Sequence, residues 1–222
     1  MADTAVGLHF DGCLFSHGDE DALITALSQG SGDAYEILIQ RYQQPVYSLV
    51  CRLTNEPSEA PDIVQEVFLK VFRNIGAFRG NSSLKTWIYR IAVNEAYNHR
   101  RWFSRHQRQE VALTAEEGST HYADGLMDPG RSPFELAADH ETRALVEQAL
   151  EKVNPNFRAA VVLRDIEDLN YEDIATVLDV SLGTVKSRIM RGREALRKIL
   201  EERMETGVRW SSSGLSNEPV TE

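Results

Sequence analysis

Apolar positions recur at helical spacing along nearly the whole chain, and no run alternates apolar and polar residues as a half-buried strand would. The three- and four-residue spacing predicts helices from about Glu20 to Gln29 and from Asp33 to Leu53, with Asp33 placed as an N-cap. Pro61-Asp62 opens a third helix that runs through Phe72 and is stopped by Gly76, and Ser82 or Ser83 can cap a long fourth one reaching about Phe103. From Ser104 to Phe134 the period is lost among Gly118, Gly125, Pro129, Gly130 and Pro133. It resumes at Glu135 and persists to about Met204. The pattern therefore predicts an all-α protein. Its parts are a mobile N-terminal extension (1–18), a helical bundle (19–105), a flexible acidic linker (106–134), a second helical domain (135–204) and a disordered tail (205–222).

Two of these helices have faces that a core does not explain. In the third, Val64, Val67, Phe68 and Val71 make an ordinary buried stripe. Leu69 falls on the opposite side beside Asp62, Gln65 and Glu66. A lone exposed Leu is commonplace, but one framed by acids suits a docking partner, with Leu69 as apolar anchor and the acids as charge complement. In the second domain, Tyr171–Leu178 reads as a short helix, Asp179–Gly183 as a turn and Thr184–Arg191 as the start of a second helix. Small Ala175 would allow a close crossing, with Ile174, Leu178, Val180, Val185 and Ile189 filling the space between. Thr184 opens the second helix, and Lys186, Ser187, Met190 and Arg191 are left on its outer face. This is helix-turn-helix spacing, in which that face enters the major groove of DNA. Asp179 stands where Gly is common in the turn, and Asp tolerates the left-handed conformation better than most residues.

Charge sharpens the picture. The 222 residues carry a formal net charge of −10, yet residues 1–40 hold seven acids and no Lys or Arg. Lys85–Arg108 and Gly183–Leu200 each hold six bases against one acid. Two basic segments in an acidic chain point to two anionic contacts. The first, KTWIYRIAVNEAYNHRRW (85–102), interleaves bases with Trp87, Tyr89, Tyr97, His99 and Trp102. A helical wheel puts Tyr89, Arg90, Val93, Tyr97, Arg100 and Arg101 on one side, a combination suited to stacking and neutralising a single strand. Trp87 and Trp102, taken alone, are expected in the core.

No apolar run is long enough to span a membrane, and MADTAVGLHFDG shows no secretory signal. Cys13 and Cys51 make no disulfide framework, so a cytoplasmic protein is expected. His9, Cys13 and His17 are spaced four apart, but Gly12 interrupts them and a fourth ligand is lacking. A mobile arm without metal or other cofactor is the expectation there. There is no Gly-rich phosphate loop, no His-Glu-x-x-His and no ordered nucleophile motif, so enzymatic activity is not expected. A helix-turn-helix repressor or activator would share the 171–200 pattern but would leave Leu69 and the aromatic-basic helix without a role.

Four ordered motifs, DAYEILIQRYQQPVYSLVCRL (33–53), DIVQEVFLKVFRNIGAFRG (62–80), SLKTWIYRIAVNEAYNHRRW (83–102) and NPNFRAAVVLRDIEDLNYEDIATVLDVSLGTVKSRIMRGREALRKIL (154–200), resemble a bacterial sigma factor of the extracytoplasmic-function (ECF) group of the sigma-70 family. The resemblance spans roughly residues 20–203. It implies two helical domains, sigma-2 and sigma-4, that bind core RNA polymerase and direct it to promoters of a specific, stress-response gene set. Asp62, Gln65, Glu66 and Leu69 would face the clamp of the largest polymerase subunit. Asn94 matches the position that reads a flipped base of the minus-ten element, with the loop Phe78–Thr86 forming part of the pocket. The minus-ten set implied is Phe78, Arg79, Asn81, Ser82, Lys85, Trp87, Tyr89, Asn94, Tyr97, Arg100 and Arg101. Arg164, Thr184, Lys186, Ser187, Met190 and Arg191 would meet the duplex minus-thirty-five element. An anti-sigma factor is implied as a further partner, and no membrane insertion. The family often has an acid where Asn81 stands, which leaves the preferred minus-ten bases open.

Overall fold

The computed structural model describes residues 17–54, 56–106 and 133–213, with side-chain surroundings for 20–54, 56–102 and 142–203. The arm ending at Ser16, residues 107–132 and residues 214–222 lie outside the described residues, and with them His9 and Cys13. All regular structure in the described residues is helical: α1 (His17–Ser28), α2 (Gly32–Leu53), α3 (Ala60–Asn74), α4 (Leu84–His106), α5 (Pro133–Lys152), α6 (Pro155–Val161), α7 (Tyr171–Leu178) and α8 (Leu182–Ser213).

Local chemistry sets where these helices start. Ser31, not Asp33, caps α2: its backbone is extended and its Oγ accepts the Ala34 N–H at 3.3 Å. Gly30, at φ +78°, ends the preceding turn and swings the chain so that Ser31 arrives first. Asp33 then lies in the first turn, where its charge meets the positive end of the helix dipole. Of the two serines ahead of α4, Ser83 is the one that accepts the Thr86 N–H, at 3.1 Å. The Leu84 N–H goes instead to Glu20 Oε1 of α1, so a distant carboxylate completes the cap. α3 runs two residues past Phe72 before a 3₁₀ turn, Ile75–Ala77, that contains Gly76. α8 continues to Ser213, beyond the end of its apolar period at Met204. The stretch Glu205–Ser213 contains no proline to break it, so the expected disordered tail is helical over its first part.

α1 to α4 form one bundle around Leu27, Leu38, Val46, Leu49, Val67, Val71, Leu84 and Ile88, all buried. In the second unit α6 passes through a π-helical turn (Val162–Ile166) into the segment before α7. Arg158 is 1% exposed, and its Nη2 donates to the carbonyls of Glu151 and Val153, which the end of α5 would otherwise leave unpaired. Burial, with Arg100 nearby, holds its pKa below the usual guanidinium range. Ala175 is half-buried against the core, and a further close crossing lies where α6 meets α8. A Cβ on Gly192 would stand 2.5 Å from Val161 Cγ2 and 2.9 Å from the Phe157 carbonyl oxygen, so only glycine fits.

The two units are packed together rather than separated. α4 lies along α7, and the buried apolar residues of both belong to one continuous cluster.

Candidate nucleic-acid and polymerase interfaces

The helix-turn-helix is built as its capping residues dictate. Asn170 Oδ1 accepts the Asp173 N–H at 2.7 Å to start α7, and Asp179, at φ 53° and ψ 52°, ends it in the left-handed region. Ser181 Oγ takes the Thr184 N–H at 3.3 Å to begin α8. Ile174, Val177, Val185 and Ile189 are buried between the helices, while Leu178 and Val180 are half-buried at the edge. Lys186 and Arg191 are exposed and Met190 is 65% exposed, an apolar side chain left uncovered among the described residues. Ser187 is half-buried and its hydroxyl donates to the Thr184 carbonyl at 2.9 Å. Arg164, from the π-helical turn, donates to the Leu169 carbonyl at 2.9 Å and lies over the Tyr171 ring. It is a braced group beside α7, apart from the row on α8.

On α3, Asp62 and Gln65 are exposed and Leu69 is 39% exposed, with Glu66 between them. One turn on, Phe72 is 58% exposed and touches Tyr35 of α2 at a ring distance of 4.7 Å. Sequence reasoning assigned Phe72 no surface role, although its spacing of three from Leu69 was the available signal. On the flank facing α4, Lys70 pairs with Glu95 at 2.6 Å and His99 with Glu59 at 2.6 Å. Trp102, expected in the core, is 52% exposed. His99 already faces Glu59, ahead of α3, so Trp102 has run past the end of the helix that would cover it. It borders an open groove of about 600 Å³ with Asp62, Glu66, Asn98 and Arg101.

The aromatic-basic helix α4 is divided. Its leading loop turns at Gly80 (φ +68°), leaves Arg79 and Asn81 exposed and Ser82 half-buried, and rests Phe78 on Trp87 with ring centroids 5.2 Å apart. Asn94 and Arg101 point outward, and Arg100 lies against the Tyr97 ring. Tyr89 and Val93, however, are buried, and Tyr97 is half-buried. The Tyr89 hydroxyl donates to Glu167 Oε2 at 2.6 Å, and burial together with that carboxylate pushes its pKa far up. Lys85 Nζ donates to the Glu167 carbonyl at 3.1 Å, the Thr86 hydroxyl to Asp173 Oδ1 at 3.0 Å, and the Tyr97 hydroxyl to the Pro155 carbonyl at 3.3 Å. The single outward face drawn from the helical wheel is therefore partly an internal contact surface. Among the described residues no cluster of three or more His, Cys, Asp or Glu could hold a metal ion, and no helix is long and apolar enough to cross a membrane.

Comparison with known proteins matches two regions of the chain to one family. Residues 38–106 match the family Sigma-70 region 2, and residues 143–196 match Sigma-70, region 4. The RNA polymerase sigma-H factor of Pseudomonas aeruginosa is 36% identical over 189 residues, covering 85% of this chain and 97% of that protein. The ECF RNA polymerase sigma-E factor of Escherichia coli K12 is 37% identical over 179 residues, 80% and 92% of the two chains. Among solved structures, the sigma factor RpoE of Bartonella quintana, crystallised with the anti-sigma factor NepR, superposes with a TM-score of 0.61 at 24% identity, over 75% of this chain and 96% of that one. CnrH, solved with the cytosolic domain of CnrY, gives a TM-score of 0.59 at 20% identity, over 82% and 97%. With both conserved regions in order and relatives aligned along most of its length, the chain belongs to the ECF group of the sigma-70 family.

Proposed function

We propose that this sigma factor divides promoter recognition and transcription initiation among three faces. The Asp62–Leu69 face of α3 docks on the clamp of core RNA polymerase, with Phe72 as an additional apolar contact. The loop Phe78–Ser82 and the α4 residues Lys85, Trp87, Tyr89, Asn94, Tyr97, Arg100 and Arg101 hold the melted minus-ten strand, with Asn94 reading an unstacked base. The outer face of α8 reads the duplex minus-thirty-five element through Lys186, Ser187, Met190 and Arg191. Thr184 and Arg164 support it from the helix start and from the π-helical turn. The polymerase supplies the chemistry, while this chain selects and opens the template in the cytoplasm.

The observation that carries this reading is the Leu69 face: an exposed apolar anchor ringed by acids, on a domain other than the helix-turn-helix. A free-standing repressor has no use for it, whereas a subunit handed to a polymerase requires it. The finer proposal is that the genes served are a stress-response set and that an anti-sigma factor restrains the protein. The relatives RpoE and CnrH were solved in complexes of that kind or with a partner's cytosolic domain. Runoff transcription with core polymerase on genomic fragments tests the function. Transcripts starting at a shared pair of upstream elements are expected. Failure of the chain to bind core or to support any start would refute it.

A further inference from the structure

The basic face of α8 does not end at Arg191. Arg193 and Arg197 follow Lys186 at spacings of seven and eleven, which return to the same side of a helix, and Arg193 lies three residues beyond Met190. Both arginines are already engaged by carboxylates. Arg197 lies between Glu194 and Glu201, at 2.9 and 3.1 Å, both on α8 itself. Arg193 is held from outside the helix. Its Nε donates to Asp165 Oδ2 at 2.9 Å and its Nη2 to Asp165 Oδ1, the parallel two-bond arrangement that matches a guanidinium to a carboxylate. The same carboxylate pushes the Arg193 pKa up, so the charge is permanent and paired.

Asp165 reaches α8 because the chain widens there. Val162–Ile166 is a π-helical turn, with the Glu167 N–H on the Val162 carbonyl at 3.0 Å, and Asp168 leaves it in the left-handed region at φ 53°. Neighbouring side chains of this turn go different ways. Arg164 goes to the Leu169 carbonyl and the Tyr171 ring, while Asp165 goes to Arg193. Such turns are rare and concentrate at functional sites. Stability does not account for the pair: the Arg193 side chain is 53% exposed and that of Asp165 32%, and ion pairs this open to water contribute little to folding. What the pair does fix is where an arginine on the DNA-facing helix can go.

We infer that Asp165 limits sequence-independent binding by the second domain: its carboxylate holds the Arg193 guanidinium on the π-helical turn and away from the phosphates that flank the recognised bases. This role rests on the assignment of the outer face of α8 to duplex DNA. Arg193 stands about 10 Å along the helix axis from Lys186, and the major groove is about 12 Å wide, so a released guanidinium would reach the backbone at the groove wall. A phosphate contact adds affinity on every sequence, whereas base contacts add it only on the right one. On promoter DNA the base contacts fix the pose of α8. On unrelated DNA nothing fixes it, and a released Arg193 would settle on the nearest phosphate. Loss of the carboxylate therefore favours the unrelated duplex.

Full-length Asp165→Asn, assembled with core polymerase, tests this on short duplexes carrying either the mapped upstream element or a scrambled sequence, titrated over a range of salt. The scrambled duplex should bind about 8-fold tighter than with the parent chain at about 0.1 M salt, and the slope of log affinity against log salt should steepen by about one. Asp165→Asn/Arg193→Gln removes the released arginine and should return both quantities to the parental values. Glu172→Gln, at an exposed site on α7, adds the same net charge without releasing an arginine and should leave the slope unchanged. A parental slope in Asp165→Asn would overturn the role of Asp165, as would equal steepening in Glu172→Gln or steepening that survives in the double variant. Lys186→Ala in the same assay tests the assignment of α8 separately. A lowered slope there, with no change in Asp165→Asn, would leave that assignment standing and refute Asp165 alone; no change in either would remove both.

Discussion

Replacing Gly192 with alanine should destabilise the protein, although alanine is the better helix former by about 1 kcal/mol. The new Cβ would lie 2.5 Å from Val161 Cγ2 and 2.9 Å from the Phe157 carbonyl oxygen. The first neighbour is a branched side chain, 3% exposed, in a packed core; the second is helix backbone. Neither can move without shifting α6 against α8. Overpacking of this kind costs about 1–3 kcal/mol, and the backbone contact places this site towards the top of that range. Subtracting the propensity gain leaves a net loss of about 1–2 kcal/mol. Urea titration of the full chain followed by circular dichroism would give the value from the midpoint shift. Hydrogen exchange would locate it in α6 and α8. Val161→Ala in the same chain removes the 2.5 Å contact but leaves the carbonyl at 2.9 Å, so the double variant should show partial relief only. A Gly192→Ala protein as stable as the parent, or more so, would mean that α6 and α8 separate freely and that the glycine has no packing role.

Three further outcomes test the assigned faces. Leu69→Asp should fold normally, because the buried stripe of α3 is untouched, yet weaken association with core polymerase by about 2 kcal/mol, roughly 30-fold. A folded variant with full affinity in a core-binding titration would remove Leu69 from the interface. Lys186→Ala or Arg191→Ala should weaken binding of full-length chain, assembled with core polymerase, to upstream duplex. Loss of a phosphate contact should lower the salt slope by about one across all sequences, and loss of a base contact should cut discrimination by about 1–3 kcal/mol at one position. No change in either quantity would misplace the recognition face. Asn94→Ala should leave core and upstream binding intact and lose about 1–3 kcal/mol on single-stranded minus-ten oligonucleotides, together with preference at one base. Retention of full preference would move base reading to the Phe78–Ser82 loop.

What could be read in advance follows the range of the interactions concerned. The helix-turn-helix was legible because its determinants are local: Tyr171–Leu178 has an apolar stripe, and Asp179 occupies the left-handed position within the same short segment. The Leu69 face was legible because a helical period sorts buried from exposed residues without knowledge of the partner. The cap of α2 was misplaced by two residues because Ser31 and Asp33 are both good caps, and the conformation of Gly30 decides between them. Gly192 carried no signal. A lone glycine in the basic run RGRE looks like a mild defect in a helix until α6 is laid against it. Trp102 was misjudged for the converse reason, since where a neighbouring helix ends is invisible to the periodicity of α4.

Tyr89 shows the deeper limit. Its placement among bases and rings supports a stacking role, and its residue type suits that role whether or not another part of the chain covers it. The cover comes from Glu167, 78 residues away, beyond any local pattern. Both occupants satisfy the same chemistry, because a carboxylate and a phosphate accept the same proton from a phenol. Sequence can therefore report what a surface is able to bind, but the choice between an external strand and an internal acid is set by how the two domains sit. In this chain the hydroxyls of Thr86, Tyr89 and Tyr97 and the ammonium of Lys85 are bonded to the second unit, while Asn94 and Arg101 on the same helix face outward.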